Sequence, residues 1–153
     1  MRRFTQLDVF ASGPCSGNPL AVVLDAEGLT DVQLQAFAHW TLLSETTFLL
    51  PPTHPDADYR VRIFTTSEEL PFAGHPTLGS AHAWLEAGGA PRRPGVVVQE
   101  CGAGLIQVKG ADGVLWSGPS SQGHPPKTRS PARSTQRSPL GSGPKAPRRR
   151  PIR

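Results

Sequence analysis

A mixed α/β fold (α+β), with largely antiparallel strands wrapped around one central buried helix, is what the sequence predicts. Three features point to it. Short apolar or alternating runs recur over residues 1–116, separated by Gly, Pro, Asn and Asp. Two segments carry helical spacing instead. One of these, beginning at Gly74-His75-Pro76, is small and apolar nearly all round, as expected of a helix closed in on every side.

Taken in order, Phe4–Phe10 reads as a first strand, ended by the turn Ala11-Ser12-Gly13-Pro14. Gly17-Asn18-Pro19 makes a second tight loop, and Leu20–Leu24 is fully apolar, as a buried strand would be. Thr30-Asp31-Val32-Gln33 fits a capping box, with Thr30 as N-cap, and places Leu29 and Leu34 for a hydrophobic staple. Leu34, Phe37, Ala38 and Thr41 share one face, so a helix is expected over 31–41. Ser44–Leu50 is β-rich and stops at Pro51-Pro52, and Tyr59–Thr65 alternates Tyr59, Val61 and Ile63 with Arg60 and Arg62. The second helix is expected to take His75 as N-cap and Pro76 at its first position, and to end near Ala87 before Gly88-Gly89. Val96–Val98, Leu105–Val108 and Val114–Trp116 supply further strands.

Charge divides the chain in two. Residues 1–116 hold 7 Lys and Arg against all 12 Asp and Glu, whereas residues 117–153 hold 9 Lys and Arg and no acid. The basic character therefore belongs to the C-terminal segment, and the body carries no nucleic-acid footprint. Arg2 and Arg3 are followed by no continuous apolar core, so no signal peptide is read, and no apolar run approaches membrane-spanning length. Cys15 and Cys101 have neither CxxC spacing nor a histidine cluster, which fits a reduced, cytoplasmic setting.

Two stretches can carry chemistry. A helix opening at Gly74-His75 aims unsatisfied amides at whatever lies above it, a site for a carboxylate or oxyanion, and His75 adds a group able to give or take a proton. Taken by itself, this is also how a plain capped core helix begins. In Ser44-Glu45-Thr46-Thr47-Phe48, Glu45 shares a strand face with Thr47 and Leu49. Desolvation there would move its pKa toward neutrality, as general acid/base work requires; a solvent-facing glutamate at a strand end is the plain alternative. His75 and His82 lie about 10 Å apart along one helix, too far to share a metal ion. Neither a metal site nor a nucleotide-cofactor fingerprint is read, and Cys15 has no evident base partner.

Together the pieces GNPLAVV (17–23), SETTFLLP (44–51), YRVRIFT (59–65) and ELPFAGHPTLGSA (69–81) resemble the phenazine-biosynthesis PhzF-like family, relatives of diaminopimelate epimerase. The resemblance covers about residues 4–116. It implies a cofactor-free, metal-free isomerase or epimerase of two similar lobes, with the substrate between two helix N-termini. Glu45 would shuttle a proton on a small carboxylate-bearing metabolite. Gly74 and His75, with Ser44 and Asn18 from the neighbouring motifs, would bind that substrate. Diaminopimelate epimerase uses paired cysteines; neither Cys15 nor Cys101 lies in these motifs, which favours the glutamate-using branch.

Residues 1–116 then correspond to the N-terminal lobe, and 117–153 to a Pro/Ser/Arg-rich tail too poor in large apolar residues to fold. The abrupt change of composition reads as translation in a shifted frame, and nothing in the chain resembles a second lobe. Two expectations of different class follow: a truncated isomerase with little turnover, or a non-catalytic interaction module that binds a partner or pairs with another copy as a homodimer. Neither needs nucleic acid or a membrane.

Overall fold

A computed structural model of the chain describes residues 2–111 and 114–119, the backbone alone for 111 and 114–119. Its elements are β1 (Phe4–Val9), β2 (Asn18–Val23), α1 (Asp31–Thr41), β3 (Glu45–Leu50), β4 (Tyr59–Phe64), β5 (Glu69–Leu70), α2 (Gly74–Glu86), β6 (Val96–Cys101), β7 (Gly104–Ala111) and β8 (Val114–Pro119). Strand β8 carries the ordered pairing to Pro119; the rest of the expected tail, 120–153, lies outside the described residues.

The strands form one sheet in the order β1-β2-β3-β4-β6-β7-β8, with β5 added on β4. Pairs β2/β3 and β4/β6 are parallel and the others antiparallel. Both edge strands, β1 and β8, touch α2, as do β2, β3, β6 and β7. A flat sheet could not do this. Six spacings of about 4.8 Å would set its edges about 29 Å apart, against a helix about 10–12 Å across. The sheet is therefore curled around α2, and α1 packs on its outer face against β3 and β4.

Strand alternation decides which residues face which helix. Leu20, Val22, Leu49, Val61 and Ile63 join Leu78, Ala81 and Ala83 in the core around α2. Val23, Phe48 and Phe64 point the other way and bury Leu34 and Ala38 of α1, with Leu29 and Phe37 packed alongside. The start of α1 follows its sequence signature: Thr30 Oγ1 accepts from the Gln33 amide while Gln33 Oε1 accepts from the Thr30 amide.

Three local expectations are corrected. The N-cap of α2 is Ala73, not His75, and no side chain caps it. Pro76 thus sits at the third helical position, where its missing N–H still removes no intrahelical bond; the first such bond runs from Thr77 to the Ala73 carbonyl. Asn18 and Pro19, expected in a loop, open β2 and pair with Val9 and Asp8. Pro19 is tolerated because the β2–β3 ladder begins one residue later, at Leu20 opposite Glu45. The short β5 was not foreseen; two residues carry too little periodicity to be read.

The connection before β2 is tied to β1. The Asp8 carboxylate accepts from the amides of Ser16 and Gly17. A Cβ on Gly17 would lie 2.3 Å from the Val9 carbonyl oxygen, so only glycine lets the chain turn this tightly into β2.

Candidate active site

Three element starts meet at one end of the curled sheet. Strands β2 and β3 run parallel, so Asn18 and Glu45 stand at the same end of the pair. Helix α2 begins there as well, with Gly74 and His75 in its first turn. Glu45 reaches its place through a short reversal: Leu42, the C-cap of α1, adopts φ 55°, and the next strand opens at Glu45.

His75 holds the centre of the group. Its Nε2 lies 3.3 Å from Glu45 Oε2, with the two side chains 10% and 18% exposed. Its Nδ1 lies 3.2 Å from Asn18 Nδ2. The Glu45–His75 contact is close but not aligned as a hydrogen bond, and Glu45 Oε2 and His75 Nε2 are both buried without a hydrogen-bond partner. Such atoms cost free energy when left unpaired, so their convergence marks a place for a ligand atom. Burial pushes the His75 imidazole below its ordinary value, and the Glu45 carboxylate draws it part of the way back. The ring is therefore neutral at physiological pH.

The helix end adds donors. Thr77 is the first residue of α2 to bond within the helix, so the amides of Ala73, Gly74 and His75 have no intrahelical partner. Gly74 is exposed, and a Cβ there would meet nothing within 4 Å. The approach to those amides is open. An anion placed over them would gain hydrogen bonds and the favourable end of the helix dipole, the latter about 0.3–1 kcal/mol.

Of the sequence-derived candidates, Glu45, His75, Gly74 and Asn18 come together. Ser44 is exposed just before Glu45 and, among the described residues, makes no hydrogen bond to the other four. His39 and His82 lie apart, one against the Thr66 carbonyl and the other 3.4 Å from Glu86. Among the described residues no three His, Cys, Asp or Glu side chains gather where a metal could be held. A cavity of about 600 Å³ lies at the far end of α2, lined by Trp84 and Gly88 and occupied at its rim by the Arg3–Asp25 pair. It includes neither Glu45 nor His75 and has no convergent reactive groups.

Sequence reasoning missed what supports the site from below. Tyr59 Oη donates to Gln99 Oε1, and Gln99 Nε2 donates to Thr77 Oγ1. Ser80 Oγ donates to Thr47 Oγ1, which in turn donates to the Ala21 carbonyl at 3.4 Å. These chains bolt α2 to β2, β3, β4 and β6 directly beneath Gly74 and His75. The available signal was a glutamine between Val97 and Cys101 on the otherwise apolar inward face of its strand, facing a helix with Thr77 and Ser80 three residues apart.

The chain is similar to several known proteins. Over 105 residues the chain is 50% identical to "Antisense-enhancing sequence 1" of Schizosaccharomyces pombe, covering 69% of this chain and 36% of that protein. Over 83 residues it is 51% identical to trans-2,3-dihydro-3-hydroxyanthranilate isomerase of Pseudomonas aeruginosa, covering 54% and 30%. Among solved structures, a Bacillus anthracis phenazine biosynthesis protein of the PhzF family superposes with a TM-score of 0.62 at 30% identity, over 75% of this chain and 40% of that one. The chain thus spans about a third of the length of the curated relatives it matches. The family description "Phenazine biosynthesis-like protein" (PhzC-PhzF) matches residues 7–138, running past the body into the Pro-rich segment. A helix threaded through a curled sheet, the ordered motifs along it and a match over most of its length together mean that the chain belongs to the PhzC-PhzF, phenazine biosynthesis-like family.

Proposed function

We propose that this chain carries the proton-moving wall of a PhzF-like isomerase or epimerase site. The observation behind this is the pair of buried, unpartnered atoms, Glu45 Oε2 and His75 Nε2, 3.3 Å apart beside the uncapped start of α2. In this reading a small carboxylate-bearing metabolite docks its anionic group on the amides of Gly74 and His75. Glu45 takes a proton from a neighbouring carbon and returns it at another position. Charge that develops toward the carboxylate is met by the fixed amide donors, which need no reorganisation during the reaction. His75 donates to substrate oxygen while remaining neutral. Asn18 lines the inner side and Ser44 the rim.

The described residues supply one wall only, and Gly74 and Ser44 are open to solvent. Efficient proton transfer needs a water-poor, closed site with reacting groups held to within about 1 Å. The 153-residue chain by itself is accordingly proposed to turn substrate over little, with closure supplied by a facing wall. A cytoplasmic setting, in which Cys15 and Cys101 stay free thiols, belongs to the same reading. No helix among the described residues is long and apolar enough to cross a membrane.

An amide-resolved NMR titration with trans-2,3-dihydro-3-hydroxyanthranilate and other small unsaturated carboxylates tests the assignment. Saturable shifts centred on Gly74, His75 and Glu45 are expected. Shifts confined to other surfaces, or none, would overturn it. Deuterium uptake from D2O at a rate typical of enzymes, lost in Glu45→Gln, would refute low turnover while supporting the role of Glu45.

A second reading, a self-associating module, has one observation in its favour. Trp40 is 74% and Phe4 50% exposed, and both rings pack on Phe37 to form a continuous aromatic surface beside the edge strand β1. Light scattering at several concentrations separates the two: a compact concentration-dependent dimer favours self-association, a monomer excludes it.

A further inference from the structure

We propose that Asn18 is a positioning residue that holds His75 in its Nε2–H tautomer, keeping the ring's single proton directed at the space shared with Glu45. The tautomer itself follows from contacts alone; its catalytic consequence rests on the function proposed above.

A neutral imidazole has one N–H donor and one bare nitrogen, and its neighbours decide which is which. On one side of the ring, Nε2 lies 3.3 Å from Glu45 Oε2. An ionised carboxylate only accepts, so a bare Nε2 would set lone pair against lone pair in a buried place. The proton therefore belongs on Nε2. On the other side, Nδ1 is then a bare acceptor and needs a donor. Asn18 Nδ2, at 3.2 Å, is that donor. The reverse arrangement, with the Asn18 carbonyl oxygen accepting from Nδ1–H, would leave Nε2 bare against the carboxylate. One consistent pattern remains: Asn18 N–H to Nδ1, and Nε2–H toward Glu45.

Asn18 is well placed to impose this. It opens β2 in register with Val9, directly after the turn in which the Asp8 carboxylate binds the Ser16 and Gly17 amides. The amide group therefore stands on a fixed backbone, not on a wandering loop. The ring proton is not consumed internally, because Nε2 and Oε2 lack the alignment of a hydrogen bond. It is available to a third atom placed beside them, such as a substrate oxygen. With the Asn18 N–H on Nδ1, a second ring proton has no free nitrogen to take, which opposes an imidazolium–carboxylate ion pair that would tie up the base the proposed reaction needs.

The test is long-range 1H–15N NMR of the full 153-residue chain labelled at histidine, at a pH where His75 is neutral. The wild-type protein is expected to show Nδ1 in the unprotonated range and Nε2 in the protonated range, in a single form. Asn18→Asp places an acceptor against Nδ1 and is expected to move the proton there, either as the Nδ1–H tautomer or as imidazolium. Asn18→Leu removes the donor and is expected to give a mixture of tautomers. A dispersed amide spectrum matching wild type away from the site confirms the fold of each variant. An Nδ1–H ring in the wild type overturns the proposal whatever the variants do, as does an unchanged pattern in a folded variant. None of these readouts requires turnover, so they stand or fall separately from the carboxylate titration and deuterium uptake.

Discussion

Gly79 of α2 lies so close beneath Leu20 of β2 that a Cβ at position 79 would sit 2.5 Å from Leu20 Cδ2, and 3.0 Å from Val9 Cγ2. Leu20 is fully buried and has nowhere to retreat. Gly79→Ala sets two effects against each other. Alanine gains about 1 kcal/mol in helix propensity, while forcing a methyl group into a filled core costs about 1–3 kcal/mol. Overpacking is the larger effect where backbone and strand are this close. Urea unfolding is expected to show a net loss of up to about 2 kcal/mol, and a stabilised variant would show that the strands yield easily.

The chain of hydrogen bonds from Tyr59 through Gln99 to Thr77 holds the first turns of α2 against β4 and β6. All three residues are buried, and burial pushes the Tyr59 phenol well above its ordinary value. Gln99→Leu strands two polar groups in the core, at about 1–3 kcal/mol for each. Adding Tyr59→Phe removes one of the orphans and is expected to recover part of the loss. Equal unfolding midpoints for the single and double variants would argue against this account.

His75 gives the stability a defined response to acid. Its folded-state pKa lies below the ordinary 6.5, chiefly through burial. Between the folded value and 6.5 the unfolded chain binds a proton that the native ring refuses. Stability therefore falls as pH is lowered through that window and is unaffected by this group above it. Glu45→Gln removes the one influence that raises the His75 pKa, so the ring should titrate at still lower pH. NMR titration of the His75 ring reads both, and a midpoint above 6.5 in the wild type would contradict the sign.

The capping box of α1 offers a local test. Thr30→Ala removes the acceptor for the Gln33 amide and should cost about 1 kcal/mol. The change is confined to an exposed helix start, so the environment of His75 should not move. Amide shifts spreading to Gly74 would show that α1 and the site are coupled.

Features whose signal lies within one turn or one pleat were settled by the sequence alone. The span of α1 and its cap, the alternation along β4, the stop after α2 at Gly88-Gly89 and the charge contrast between body and C-terminal segment all depend on neighbours a few residues apart. The small residues of α2 likewise announced close packing, although not against which strand. The N-cap of α2 was misplaced because Pro76 is as tolerable at the third helical position as at the first, and no side chain marks the start. The meeting of Asn18, Glu45 and His75 was decided by the tertiary structure, through the parallel pairing of β2 with β3 and the passage of α2 through the curled sheet. So was the Tyr59–Gln99–Thr77 chain, whose members look unremarkable in their own segments. Pairing and burial are long-range. A hydrogen bond between residues 59 and 99 leaves no period in the chain, and only the packed core, where an unpaired polar atom is costly, makes it necessary.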